Sequence, residues 1–336
     1  MAEGIELATA YVRIVPTTEN ISDNLSSALG DPSKKAGEDA GKKAGSGFSN
    51  SLGKNLSNVG DTFSKNVSVP LTAGITAAMA SWSKVDAGLD TVVQKTGASG
   101  EALEKMHKSV QNIATSMPVT FQDAGTAIGE VNTRFGVTGD QLEQLSTDFL
   151  KFAQVNSVDV NGSIDNVQKT LSAFGLTADD AGAMLDTLNK VGQDTGISMD
   201  TLEADMVSNA TALQSLGLNA ADSAHLLGEL EKSGADVSTV MMGLSRVQAN
   251  AMADGVSMQE EFAKAVGSSD EAVSIFGSRA GAKLYELFSN GTLNADMFTT
   301  SQYSLQDALG STGDTFDAMQ DPADQWQTVL NNLMVL

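Results

Sequence analysis

The chain contains no cysteine, two histidines, five prolines and few aromatic residues, only 5% of its 336 positions. Without thiols there is no disulfide framework, no thiolate metal site and no cysteine nucleophile. His107 and His225 lie far apart in sequence and outside any His-Glu-x-x-His pattern, so a zinc hydrolase has no support. Scarce aromatics argue against a deep ring-lined pocket and for a core of Leu, Val, Met and Ala, the material of interlocking helices. Positive charge is short as well: 20 Lys and Arg stand against 42 Asp and Glu, for a net charge of −22. Nucleic-acid binding depends on clustered cations, so direct binding is not expected of this chain. Its charge suits a surface kept soluble at high local concentration, or one that lies beside DNA without sticking to it.

Catalytic motifs are also missing. No Gly-x-x-x-x-Gly-Lys-Ser/Thr run occurs, and Gly45-Ser46-Gly47 lacks the third glycine, the preceding strand and the distal acid of a dinucleotide site. Ser157, Asp159, Asn161 and Gly162 imitate the first half of a calcium loop, but position one is Ser and position twelve is Gln168 where the bidentate Glu belongs. Met241-Met242 falls at core spacing. No catalytic, cofactor-binding or metal-binding residue is assigned, and no enzymatic activity is expected. An acid/base pair brought together by folding has no candidate in sequence spacing.

Long hydrophobic runs are absent too. Residues 66–83 carry no charge, yet Asn66, Ser68, Thr72, Thr76, Ser81 and Ser83 interrupt them, which predicts a buried small-residue helix with Gly74 and Ala78 at a close helix contact. A charged start, a continuous apolar run and a small-residue cleavage site are all missing at the amino terminus, so export by a secretory signal is not indicated. Charge separates two regions. Residues 1–66 hold seven basic and eight acidic side chains, a net of −1, leaving −21 for the remainder.

The sequence divides into three parts. Within 1–66, residues 7–15 alternate as one short strand closed by Pro16. Residues 33–66 then read as a helix: a four-residue Ala-Gly repeat, followed by the stripe Phe48, Leu52, Leu56, Val59 and Phe63, expected to become stable against a neighbour such as another copy of the chain. Residues 67–97 are the uncharged Ala/Thr/Ser-rich helix and its connection, and 98–336 form an acidic helical core.

That core is punctuated. Gly97-Ala98-Ser99, Gly136-Val137-Thr138, Gly175-Leu176-Thr177, Gly196-Ile197-Ser198, Gly217-Leu218-Asn219 and Gly255-Val256-Ser257 each set a glycine for a left-handed helix end before a polar N-cap. Thr138/Gln141 and Ser257/Glu260 have capping-box spacing, and Val137/Leu142 and Ile197/Leu202 fit hydrophobic staples. Between these corners run helical stripes: Leu103, Met106, Val110 and Ile113; Leu142, Leu145, Phe149 and Phe152; Met184, Leu188 and Val191; Val237, Val240, Met241, Leu244 and Val247. A later stripe of Ile275, Leu284, Leu287 and Phe288 is expected to bend at Gly277 or Gly281. Pro118 precedes a Thr120–Asp123 cap, and Asp321-Pro322 opens the last helix. The fold class is all-α, a multi-helix bundle of short helices with glycine-terminated corners and one short N-terminal β-strand.

These residues carry a resemblance. Ala10-Tyr11-Val12-Arg13-Ile14-Val15-Pro16, the run from Leu150 through Phe152-Ala153 to Thr170-Leu171-Ser172-Ala173-Phe174-Gly175-Leu176-Thr177, Leu213-Gln214-Ser215-Leu216-Gly217-Leu218, Leu227 to Gly234, and Ile275-Phe276-Gly277-Ser278-Arg279-Ala280-Gly281 on to Leu287 together resemble the amino-terminal and core region of phage tail tape measure proteins, of the kind found in long-tailed phages and prophages of Gram-positive bacteria. The resemblance implies a structural virion protein that helps set tail length, occupies the tail lumen as an oligomer while tube subunits assemble around it, and leaves at infection. It implies tail tube protein, tail assembly chaperones and distal tail components as partners, with the host cytoplasm as the place of assembly. One feature departs from a ruler. Even wholly helical, 336 residues span only about 500 Å, and repeated corners break the rod, so a globular head, truncated at its C-terminus, is expected in place of the measuring shaft. The rival reading is a secreted or surface-filament helical protein, which would share the composition but favours long terminal heptad helices that this chain lacks.

Overall fold

The structure is a computed structural model that describes the backbone of residues 71–336, except 266, 299, 322, 323 and 336, and, apart from these and residue 265, the side chains from residue 84 onward. The expected strand at 7–15 and the expected helix at 33–66 lie outside the described residues, as do the side chains of Gly74 and Ala78. The chain divides into two compact units between Gly74 and Ile75. The second, Ile75–Leu336, holds nearly all of the described elements.

Among the described residues there are fourteen α-helices and no strand. They are α1 (Leu71–Thr96), α2 (Gly100–Ser116), α3 (Phe121–Phe135), α4 (Gly139–Asn156), α5 (Val160–Phe174), α6 (Ala181–Thr195), α7 (Met199–Ser215), α8 (Ala220–Lys232), α9 (Val237–Asp254), α10 (Met258–Ala265), α11 (Ser269–Phe276), α12 (Ala280–Ser289), α13 (Ser311–Met319) and α14 (Asp324–Met334). From α2 to α9 each helix packs on the next in sequence and on the next but one. The even helices α2, α4, α6 and α8 therefore make one layer and the odd helices α3, α5, α7 and α9 the other, with the core between them. Beyond α9, helices α10, α11 and α12 close the end in a small cluster.

Each stripe faces the seam between layers. Leu142, Leu145, Phe149 and Phe152 of α4 are all buried, as are Met184, Leu188 and Val191 of α6 and Val237, Val240, Met241, Leu244 and Val247 of α9. Met242, next to buried Met241, points outward. The late stripe breaks at Gly277, which separates α11 from α12.

All six corners have the expected left-handed glycine, at φ between +64° and +87°, but not all have the expected cap. Gly175 shows what the glycine does. At φ +70° it turns the chain so that Leu176 N–H donates back to Leu171 C=O at 2.8 Å, satisfying a carbonyl the helix leaves open, while Thr177 and Asp180 cap the next turn. Ser198, Asn219 and Ser257 also cap, and Ser257/Glu260 makes the expected box: Glu260 N–H donates to Ser257 Oγ at 3.2 Å and Ser257 N–H to Glu260 Oε2 at 3.0 Å. The Thr138/Gln141 box does not form. Gly139, at φ +61°, swings the first amides of α4 away from the Thr138 hydroxyl, and Gln141 donates to Asp179 Oδ1 at 2.6 Å. Ser99 fails to cap for the same reason, since Gly100 stands at φ +60°. The staple residues Val137, Leu142, Ile197 and Leu202 are all buried.

Two further corners share the same plan. Gly234-Ala235-Asp236 differs only in using Asp as the cap, accepting from Thr239 N–H at 2.7 Å. Ser157-Val158-Asp159 puts a serine where glycine is expected, at φ +55°, yet Val158 N–H still returns to Ala153 C=O at 3.1 Å and Asp159 caps Gly162 N–H at 2.8 Å. The segment with half a calcium motif is thus a helix end and a helix start. No group of three potential metal ligands occurs among the described residues.

Ser157→Gly is expected to stabilise the fold by about 0.5–1 kcal/mol: left-handed geometry costs a side chain roughly 1–2 kcal/mol, part of which glycine returns through its greater freedom when unfolded. The urea midpoint checks this, and a lowered midpoint contradicts it.

Candidate functional site

After α12 the chain turns back. A short 3₁₀ turn at Ala295–Phe298 packs on α10, a second at Leu305–Ala308 on α6, then α13 on α4 and α6, and finally α14 on α2. This strap retraces the stack from its last helices to its first across the even layer. Its buried apolar anchors are Leu293, Phe298, Ala308 and Phe316.

Polar side chains of the even helices hold the strap largely by its backbone. Asp222 of α8, buried, accepts from the N–H groups of both Gln302 and Tyr303 at 2.8 Å. Asn219 Nδ2, one turn earlier, donates to Ser301 Oγ at 2.6 Å and to Tyr303 C=O at 3.0 Å. Asp186 of α6 repeats the device, taking Gly310 N–H at 2.7 Å and Thr312 N–H at 2.8 Å, one on each oxygen. Beside it Asn189 Nδ2 donates to Ser311 Oγ at 2.8 Å. Charge-assisted bonds to backbone amides are the stronger kind, and pairing two amides per carboxylate fixes register as well as position. On α4, Lys151 Nζ sits 5.4 Å from the centre of the Phe316 ring.

The last helix is inverted. Asn331 is its one fully buried side chain, at 1% exposure, and its amide donates to Ala114 C=O at 2.5 Å and Val119 C=O at 2.7 Å. Asn332 adds a bond to Thr115 C=O at 2.9 Å. Ala114 and Thr115 end α2, where carbonyls have no partner within the helix, so two asparagines cap α2 from outside. Outward, Trp326 (65% exposed), Val329, Leu330 and Leu333 (63%) form an uncovered apolar ridge. Residues 325–336 carry no charged side chain. A groove of about 600 Å³ runs along one side of the ridge, lined by Pro118, Phe316, Val329 and Leu333, and one of about 380 Å³ along the other, lined by Ala87, Phe121, Leu330 and Met334.

His225 stacks on Tyr303 with ring centres 3.6 Å apart, and burial pushes its imidazole below the usual histidine range against the pull of Asp194, Asp222, Glu229 and Asp307. His107 is half-buried beside the Met106/Val110 stripe. Folding does bring carboxylates near one another. Burial raises Asp148, with Lys151 opposing and Asp186 adding to the rise, but both oxygens of Asp186 are engaged by the strap. Glu203 of α7 is 2% exposed and raised by burial, with Ser163 and Asn166 of α5 opposing, the Asn166 amide at 3.2 Å, and Asp200 adding to the rise. Among the described residues no helix is long and apolar enough to cross a membrane.

The geometry defines an all-α module, a two-layer helix stack tied by its own returning strap, with one apolar face exposed. The family model described as phage-related minor tail protein matches residues 107–334, more than half of the chain, and the protein belongs to that family. It is a phage tail protein. No curated protein and no solved structure matches the chain.

Asp222→Ala leaves two strap amides without their acceptor, at a cost of about 1–3 kcal/mol. Amide exchange in 300–304 is expected to quicken while α7 keeps its protection; unchanged exchange at 302 and 303 contradicts it. Glu203 binds its proton more readily folded than unfolded, so its contribution is present below the ordinary glutamate range and lost as pH rises through the raised folded value. Glu203→Gln should therefore raise the urea midpoint at neutral pH, with the gap closing in mild acid; a constant gap from neutral pH down to mild acid would count against it.

Proposed function

We propose that this protein acts in the tail as a tape measure protein, helping to set tail length and template the tube, lying in the tail lumen and leaving at infection. Membership of the phage-related minor tail family is the observation that carries this reading. Charge supports it. A surface of −22 resists sticking to a DNA strand that must pass through the same lumen, and the all-α architecture matches what the resemblance implies. Its partners on this reading are tail tube protein, tail assembly chaperones and distal tail components, met first in the host cytoplasm, and the protein works as an oligomer with no catalytic role. Direct nucleic-acid or membrane contact is not part of the proposal.

The folded stack has a role of its own. A gauge that measures by length needs continuous helix at 1.5 Å per residue, whereas residues 75–336 reverse at every corner. This region therefore serves as a folded head that engages other tail components, and the measuring itself is done outside this stack. A secreted surface filament, the rival reading, has no observation in its favour beyond composition.

Deleting the gene should abolish tails of normal length, while an in-frame duplication of the α5–α6 pair should leave tail length unchanged in electron micrographs. Normal tails without the protein would defeat the tape measure role. Tails lengthened in proportion to the duplication would defeat the head assignment.

A further inference from the structure

We infer that the side of α6 and α8 that bears the strap is a dock for a basic segment of another protein, and that the strap occupies it as a displaceable stand-in. The inference rests on reading the stack as a head that engages other proteins and is independent of the tail-length role.

The strap has the wrong charge for its seat. From residue 290 to 336 it carries six aspartates, Asp296, Asp307, Asp314, Asp317, Asp321 and Asp324, and no lysine or arginine. It lies on carboxylates. Asp186 and Asp222 grip it directly, Asp148 stands within reach of the Asp186 charge, and the strap's own Asp307 joins Asp194, Asp222 and Glu229 around His225. Of the cations on this side, Lys190 is already paired with Asp194 at 2.6 Å and Lys151 lies against the Phe316 ring. Like charges brought together weaken docking, and a cation in the same place would strengthen it.

A second observation points to a donor. Asn189 is 1% exposed and its amide faces the strap, Nδ2 donating to Ser311 Oγ at 2.8 Å, yet its Oδ1 has no hydrogen-bond partner. Thr312 Oγ1, buried in the same dock, has none either. Buried polar atoms are nearly always paired, so the strap fills this seat without satisfying it. A lysine or arginine side chain brings N–H groups and no acceptor, the complement of a free amide oxygen among carboxylates.

The grip itself asks little of sequence. Asp222 holds the amides of Gln302 and Tyr303, and Asp186 those of Gly310 and Thr312, main-chain groups that every residue but proline offers. Any segment whose backbone can follow this path makes the same four bonds, and charge then decides between competitors.

The full-length protein is mixed with synthetic peptides spanning 300–318, one carrying Gln302→Lys and Gln306→Lys and the other Gln302→Glu and Gln306→Glu, which leave the Asp307 cap on Ser304 in place. The lysine peptide is expected to bind at least about tenfold more tightly than the glutamate peptide and to lose affinity as salt rises. Its binding should quicken amide exchange at Gln302, Tyr303, Gly310 and Thr312, as the strap leaves, while α7 keeps its protection. Within the chain itself, Gln306→Lys should slow exchange at these four amides about threefold relative to Gln306→Glu, the scale of an exposed charge pair. Failure of the lysine peptide to bind, equal affinity of the two peptides, binding that leaves the four amides unchanged, or equal exchange in the two chain variants would each overturn the inference. Every one of those results leaves the tail assignment standing, because gene deletion tests that separately.

Discussion

A short helix buries only one stripe, and that constraint shapes everything else in this protein. Helices of 8–18 residues from α2 onward have too little length to be stable alone, so each depends on neighbours on both sides, and the chain has to reverse after every one. Reversal within two or three residues requires a left-handed residue, a buried apolar residue to seat the turn, and a cap for the next helix. Gly217-Leu218-Asn219 meets all three needs, and its analogues at 136, 175, 196, 234 and 255 repeat most or all of the solution. The two-layer stack is the shape that results when such corners alternate between the ends of the helices.

A stack of this kind is quasi-one-dimensional, each helix touching only its neighbours, and nothing in the local corners ties the first helices to the last. The strap supplies that tie. Asp222 and Asp186 grip backbone amides 80 to 126 residues away, and Asn331 reaches carbonyls more than 200 residues back. Contacts at such separation convert a chain of local packings into one cooperative body. Gripping the backbone fixes the strap's path at 302–303 and 310–312, and its own side chains Phe298, Ala308, Phe316, Asn331 and Asn332 add the remaining contacts.

Electrostatics and packing divide the labour. Acidic side chains coat the layers, where they keep the surface repulsive to DNA and to most of its copies, and a few are drawn inside as acceptors for buried amides. Burial raises the carboxyls of Asp148 and Glu203, and strap docking engages both oxygens of Asp186. The apolar ridge of α14 is the exception to this coat.

Much of the fold was legible in the sequence because corner chemistry is local: a glycine, an apolar residue and a cap within three positions, followed by a stripe at helical period. The same locality explains the misses. Ser157 hid a corner because a serine at φ +55° is indistinguishable in sequence from any loop serine, and Thr138 lost its box because Gly139 adopted a conformation that spacing does not reveal. The surface site was harder. Nothing in sequence spacing sets Trp326, Leu330 and Leu333 apart from a buried stripe, or Asp186 and Asp222 from solvated acids. Helix type, helix ends and the acidic character depend on neighbours within a turn or two, and the sequence by itself determined them. Which face of α14 turns inward, and which carboxylates are gripping a distant strap, depend on groups over a hundred residues away, and only the tertiary structure decided that.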